Sequence, residues 1–142
     1  RSEKDFFDIV VLLQATSPLR EARDIDECIE ILFKKRVDTV FSATVPKNNP
    51  YFNLVEISAS NQINLVKNGN YHTRQSVPEV YALNGVVYGW RKNALLKWKK
   101  VLLESSYIHV MPKERSADID DLTDFKIAEM LMKDRNKIEK KY

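Results

Sequence analysis

The sequence predicts one α/β domain, a mostly parallel sheet flanked by helices with an antiparallel arm at residues 46–78, and three observations lead there. Ile9–Leu13 is an unbroken run of β-branched residues and leucine, apolar on both alternating faces and too short for an independent helix, as in a strand buried inside a parallel sheet. A helical stripe and a second strand-like run follow it, which together read as a βαβ crossover. Between Pro46 and Pro78 the helical pattern stops, and short strand-like segments bounded by Asn, Gly and Pro replace it.

In chain order, the first strand ends where Gln14, Thr16 and Ser17 turn the chain polar and Pro18 forbids continuation. Arg20 then offers a planar fork suited to phosphate or carboxylate. In open α/β sheets ligands bind beyond the carboxyl ends of the strands, so this loop is the first place to look for chemistry. Asp24 is the expected N-cap of a helix carrying Ile25, Cys28, Ile29, Leu32 and Phe33 on one face. That stripe makes Cys28 a core residue, and it has no second thiol with which to hold a metal. Asp38–Val45 is the second strand. Asn53–Ser58 and Ile63–Lys67 read as short paired strands, and Asn68-Gly69 as a type I′ turn. A lone strand pair is marginal in water, so the arm is expected to pack on its own sheet or on a partner subunit. Val80–Trp90 resumes the buried type of strand, with Asn84-Gly85 inside it. Asn93–Leu103 is expected as a helix with Ala94, Leu95, Trp98, Val101 and Leu102 on one side, and Tyr107–Met111 as a further strand. Asp121-Leu-Thr-Asp124 is a capping-box variant that opens a helix bearing Leu122, Phe125, Ala128, Leu131 and Met132.

Composition narrows the function classes. A chain of 142 residues fits one domain, and its 44% apolar and 30% charged residues are those of an ordinary globular protein. No apolar run approaches the ~20 residues that span a bilayer, so no membrane role is expected. The net charge is only +3, and the basic residues are scattered among acids, which excludes a nucleic-acid binder as a leading reading. The basic tail from Lys133 to Tyr142 reads as a solvated helix end. One cysteine makes no intrachain disulfide and no secretory leader pattern opens the chain, so a cytoplasmic protein is expected. The polar stub Arg1–Asp5 leads straight into an interior-type strand, and the three glycines are scattered, so the domain is expected to be partial, with a first βα unit missing.

The clearest chemical content lies in Ser116–Phe125. In extended chain Asp118 and Asp120 point to one side, and paired loop carboxylates that leave room for waters and substrate phosphates are what Mg²⁺ prefers. The alternative is that these acids serve only the following helix N-terminus, for which Asp121 and Asp124 suffice. Arg74 either binds a carboxylate bidentately or is a rim charge. Asn84 either presents its amide to a ligand or relieves a bulge before Gly85. His72 and His109 have no partner at metal spacing and read as structural.

Leu12-Leu-Gln-Ala-Thr-Ser-Pro-Leu-Arg20, Arg74-Gln75, Asn84-Gly-Val-Val-Tyr88 and Asp118-Ile-Asp120, in this order and at about these separations, resemble the acylneuraminate (sialic acid) cytidylyltransferases. The nine-residue first string is specific to this group, whereas Asp-x-Asp alone is weak, and the resemblance runs over nearly the whole chain. It implies a Rossmann-like nucleotide-diphospho-sugar transferase fold that dimerises through the arm at residues 46–78. The implied activity is transfer of CMP from CTP to a nonulosonic sugar acid with Mg²⁺, releasing pyrophosphate. The resemblance implies that Gln14, Arg74, Asn84 and Tyr88 line the sugar side, with Arg20 and Gln75 among the substrate-binding residues, while Asp118 and Asp120 hold the metal. The family's glycine- and basic-rich CTP loop is absent, so this chain is expected to be the last three-fifths or so of such an enzyme, to bind CTP weakly and to be inactive by itself. Ala82 stands where many members have arginine, and Phe52 where they have an arm lysine. Legionaminic, pseudaminic and ketodeoxyoctonic acids therefore stay open as the sugar. A non-catalytic dimerising module is the alternative from another class.

Overall fold

The computed structural model describes residues 7–139, with side chains to residue 135. The opening stub and the last residues of the basic tail lie outside the described residues. The chain divides into two compact units, Arg1–Thr44 with Leu83–Tyr142, and Val45–Ala82.

The larger unit is an α/β fold around a four-stranded mixed sheet: β1 (Ile9–Leu13), β2 (Thr39–Thr44), β5 (Ala82–Arg91) and β6 (Ser106–Val110), in the order β1-β5-β2-β6. β2 and β6 are parallel, with Phe41 opposite Ile108, whereas β5 runs antiparallel to β1, with Leu12 opposite Tyr88. Two expectations are corrected here. The crossover strands β1 and β2 are not neighbours, because β5 lies between them, so the sheet is a mixed one that keeps β2 and β6 as a parallel pair. β1 is an edge strand among the described residues, and its Leu12 and Leu13 are exposed. The physical reason is that Val86, Val87 and Gly89 leave β5 buried on both faces, which qualifies it for the central place that the apolar run of β1 had claimed.

The core joins Cys28 and Leu32 of helix α1 (Ala22–Lys34) to Val40, Val86, Val87 and Met111, with Ile9, Val11, Ile25, Ile31 and Val37 packed around them. Gly89 permits this approach: a Cβ there would stand 2.9 Å from Val40 Cγ1 and 3.4 Å from Leu32 Cδ1. Burial pushes the Cys28 thiol up to about 12, with Asp24 and Glu27 adding to the effect, as suits a core thiol. An aromatic cluster is built by Phe41, whose ring meets Tyr88 edge-on at 5.3 Å and Trp90 at 6.1 Å.

Helix ends depart from expectation. The N-cap of α1 is Glu21, not Asp24; Asp24 sits three residues on and accepts a hydrogen bond from Glu21 N at 2.9 Å. Helix α2 spans only Lys92–Trp98 and stops at Lys99, which takes a left-handed conformation at φ 49° and donates its N–H to Leu95 O. Trp98, Val101 and Leu102 are exposed instead of forming a buried stripe. Helix α3 (Leu122–Glu139) starts as the capping box requires: Asp121 Oδ1 accepts from Thr123 N at 2.6 Å and Asp124 N at 3.0 Å, while Asp124 Oδ2 accepts from Asp121 N at 3.3 Å. Its Ala128 is buried, but Leu122 and Phe125 are exposed. No helix among the described residues is long and apolar enough to cross a membrane.

The smaller unit holds the antiparallel pair β3 (Val55–Ile57) and β4 (Ile63–Leu65), shorter than the two segments read from sequence, with Asn61 at φ 57° in the connection. Asn68-Gly69 does not form a type I′ turn, since that turn needs positive φ at both central residues and neither has it.

Candidate functional site

The polar groups gather where the chain leaves β1 and β2 and enters the loop after β6, the carboxyl-end location that an open sheet reserves for ligands. Gln14 follows β1 directly. Its carbonyl accepts from Arg20 Nη1 at 3.1 Å, and the same guanidinium nitrogen donates to Val86 O at 3.1 Å, so Arg20 pins the loop to β5. Ser17 and Leu19 anchor the loop by burial. The Gln14 carboxamide lies against Gly85, where a Cβ would come within 2.2 Å of Gln14 Oε1. Gly85 is at φ +73°, a conformation that glycine adopts freely and other residues resist. Gln14 Nε2 in turn reaches toward Asp118 Oδ2 at 3.5 Å.

Asn84 uses its whole amide inside the protein. Its Oδ1 accepts from Ser42 Oγ at 2.6 Å, and its Nδ2 donates to Ser116 Oγ at 2.9 Å, which joins β5, β2 and the loop after β6. Ser42 Oγ also accepts from Val87 N at 2.7 Å. Tyr88 belongs to the aromatic cluster and is half-buried. Asp118 is half-buried, and its Oδ1 is a buried oxygen without a hydrogen-bond partner among the described residues. Asp120 is exposed, and its N–H donates to Asp124 Oδ2 at 3.2 Å. Ile119 N donates to Thr16 O at 3.0 Å, which ties the acidic loop to the Gln14 loop. A cavity of about 430 Å³ opens beside this loop, lined in part by Thr44, Ser116, Asp118, Asp124, Ile127 and Leu131. Gln14, Arg20, Asn84 and Asp118 are thus brought together in one unit.

A carboxylate oxygen buried without a protein donor fits a cation, because an unpaired buried charge is costly. No cluster of three or more His, Cys, Asp or Glu suited to a metal exists among the described residues. The Asp118 carboxylate, with the rest of the shell left to water, phosphate oxygens and any second acid of the same loop, is an oxygen donor that suits Mg²⁺ and would not suit zinc.

Arg74 and Gln75 belong to the smaller unit, where both are exposed and line a cavity of about 320 Å³ with Lys47, Pro78 and Tyr81. Arg74 Nη2 donates to Lys47 O. His72 is exposed, whereas His109 is buried beside α1.

Sequence reasoning passed over Ser42, Ser116 and the pair Asp24–Arg115. Asp24 is fully buried, and Arg115 grips it through Nη2 to Oδ1 at 2.8 Å and Nε to Oδ2 at 3.1 Å. Burial raises the Asp24 carboxyl, but the Arg115 hydrogen bonds, the Glu21 N–H and nearby positive charge outweigh it and hold Asp24 below the usual carboxylate range. His109 lies at the same place, with Nε2 3.8 Å from Asp24 Oδ1 and Nδ1 3.3 Å from Glu27 Oε2. The only local signal was an aspartate inside a first helical turn, and its partner stands 91 residues away.

No protein-family profile matches the chain. Among curated proteins it is 35% identical over 139 residues to the post-translational flagellin modification protein B of Campylobacter coli, covering 96% of this chain and 59% of that one. The CMP-N,N'-diacetyllegionaminic acid synthase of Campylobacter jejuni matches with the same identity and coverage, 35% over 96% of this chain and 59% of its own length. The N-acylneuraminate cytidylyltransferase of Streptococcus agalactiae is 31% identical over 81% of this chain and 28% of its own. The chain therefore spans about three-fifths of the length of the first two relatives. Among solved structures, the 4-diphosphocytidyl-2C-methyl-D-erythritol synthase of Anaerococcus prevotii superposes with a TM-score of 0.58 over 89% of this chain and 59% of that one, at 14% identity, a likeness of fold alone.

Proposed function

We propose that this chain, 31–35% identical to a CMP-legionaminic acid synthase and to N-acylneuraminate cytidylyltransferases over most of its length, is a member of the acylneuraminate cytidylyltransferase family and carries the acceptor and metal side of a nucleotidyltransferase that moves CMP from CTP to a nonulosonic sugar acid. The observation that carries this reading is the Gln14 carboxamide seated on Gly85, 3.5 Å from an Asp118 carboxylate whose other oxygen is buried without a donor among the described residues.

In this reading Gln14 orients the acceptor hydroxyl for in-line attack at the α-phosphorus, where positioning and charge neutralisation supply most of the catalysis. Asp118 and Asp120 would hold Mg²⁺, which when bound neutralises charge developing on the phosphates. Asn84, Ser42 and Ser116 act as a brace beneath the acidic loop, and Arg20 holds Gln14 through its backbone. Tyr88 forms an aromatic wall. In the smaller unit, Arg74, Gln75 and Lys47 line a hydrogen-bonding cavity that also holds Glu79, and the two basic groups suit it to a carboxylate. Legionaminic-type acids head the candidate substrates, since a relative that makes their CMP derivative is among the most similar. Val55, Ile57 and Ile63 are exposed on the two-stranded arm, which supports a homodimer through residues 46–78.

The test is formation of CMP-sugar and pyrophosphate from CTP and a panel of nonulosonic and ketodeoxyoctonic acids. It is run with this chain and with a chimaera in which the remaining two-fifths or so of a relative complete it. Asp118→Asn should cut turnover by about 10²-fold or more with the fold retained, as expected when a group acting on transition-state charge is lost. No product from the chimaera with any acid, at wild-type secondary structure, would overturn the enzyme reading in favour of a dimerising module.

A further inference from the structure

We propose that the buried Asp24–Arg115 ion pair is a positioning device, which clamps the Ser116–Asp120 loop against the loop that carries Gln14. The inference rests on the reading of Asp118 given above for its catalytic consequence, but the clamp itself is read from geometry.

Arg115 immediately precedes the acidic loop, and Asp24 stands in the first turn of α1, four residues after Arg20 closes the Gln14 loop. The two loops are already joined at their tips by Ile119 N to Thr16 O at 3.0 Å and by Gln14 Nε2 to Asp118 Oδ2 at 3.5 Å. The ion pair joins them at their bases, so the contacts form a closed ring: Gln14 loop, first turn of α1, Asp24, Arg115, Ser116–Asp118, and back to Gln14. Asn84 Nδ2 to Ser116 Oγ at 2.9 Å fixes the same ring from β5.

Capping does not account for this arrangement. The helix needs only the bond from Glu21 N to Asp24 Oδ2, which an exposed aspartate would make equally well. Stability does not account for it either, since a buried ion pair recovers little beyond its desolvation cost and apolar replacements often serve as well. What a bidentate fork adds is direction: three hydrogen bonds, Nη2 and Nε to Oδ1 at 2.8 and 3.2 Å and Nε to Oδ2 at 3.1 Å, fix the plane of the guanidinium. The backbone that leaves Arg115 toward Asp118 is thereby aimed. Asp24 and Arg115 touch no reacting atom in this scheme; they act through Asp118.

The experiment uses the full chain and compares Arg115→Lys, which keeps charge but loses the fork, with Val40→Ala, a core variant that loses stability far from the loop. If Arg115→Lys fails to fold, the double variant Asp24→Asn/Arg115→Gln, which retains a neutral hydrogen-bonded link, takes its place. Amide exchange of residues 116–121 is read by mass spectrometry, and affinity for Mn²⁺ alone by the electron paramagnetic resonance of the free ion. The clamp predicts that loop exchange rises and Mn²⁺ affinity falls by about tenfold, the usual consequence of losing a residue that orients a metal ligand. In Val40→Ala, both should stay near wild type despite a lower Tm. Loop exchange that follows Tm alone in both variants overturns the proposal. Asp118→Asn with wild-type Mn²⁺ affinity would remove the metal reading, and the exchange arm would still decide the clamp.

Discussion

Gly85→Ala is a direct probe of how Gln14 is seated. At φ +73° an alanine pays the left-handed penalty of about 1–2 kcal/mol. Its Cβ would also stand 2.2 Å from Gln14 Oε1 and 3.2 Å from Cδ, so the carboxamide must swing away. A glutamine can do so by changing rotamer, which adds at most about 1 kcal/mol. The expected loss is therefore about 2 kcal/mol, read by urea denaturation, with a fall in Tm of roughly 5–8 °C for a domain of this size. The functional loss should be larger than that. Moving a positioning group by an ångström or more costs on the order of 10²-fold, read here as kcat/KM for the proposed sugar acid in the completed chimaera. A double-mutant cycle with Gln14→Ala isolates the cause: on the Gln14→Ala background, Gly85→Ala should lose little further activity and recover the clash portion of the stability. If Gly85→Ala kept kcat/KM within about twofold while Gln14→Ala lost it, the idea that this glycine exists to seat Gln14 would be refuted.

Three further outcomes are expected. Asp24 is held below its ordinary value when folded, so its contribution is complete above the unfolded value and drains away as pH falls through the folded one; Tm should drop below about pH 4. Asp24→Asn should flatten that acid limb even though it lowers Tm overall, and an unchanged limb would place the acid sensitivity elsewhere. Cys28, with its thiol pushed up to about 12 and buried, should resist alkylation at pH 8 and react at the rate of unfolding; prompt labelling of the native protein would contradict its core placement. Ile57→Asp, at an exposed position of the arm, should convert a dimer into a monomer by light scattering at about 10 μM, and a wild-type protein already monomeric there would dispose of the arm interface.

Local chemistry was legible where one short segment decides the outcome. Ile9–Leu13 forms a strand with those bounds because β-branched residues in an unbroken run have few alternatives, and Asp121 with Asp124 caps α3 because each partner lies within four residues. Neighbours in a sheet are another matter. An apolar run states that two faces are covered, and nothing in Ile9–Leu13 states that β5 would pair with it antiparallel and take the centre. Lys99 ended α2 although Val101 and Leu102 continued the helical stripe, because a left-handed residue interrupts a helix whatever the pattern beyond it. Asp24 looked like a cap for the same reason that it is close to one: the first turn of a helix accepts acid at several positions.

The site divides along the same line. Gln14, Asn84 and Asp118 were visible as polar residues at the ends or interruptions of apolar runs, although Asn84 spends its amide on Ser42 and Ser116. The residues that hold those three in place were not visible, because each holds its partner across the sheet. Ser42 meets Asn84 from 42 positions away, and Asp24 meets Arg115 from 91. Taken singly, these residues pass for strand filler and a helix cap, and only burial separates them from their like: Ser42 and Asp24 are fully buried, and a buried polar group must find a partner. The groups that would do chemistry are therefore exposed to a sequence reader by being out of place, while the groups that aim them are concealed by looking ordinary. A search confined to motif residues will accordingly recover the carboxylate proposed to hold a metal and overlook the arginine proposed to aim it, which is why Arg115→Lys discriminates more sharply between a positioned and a merely present Asp118 than any change to Asp118 itself.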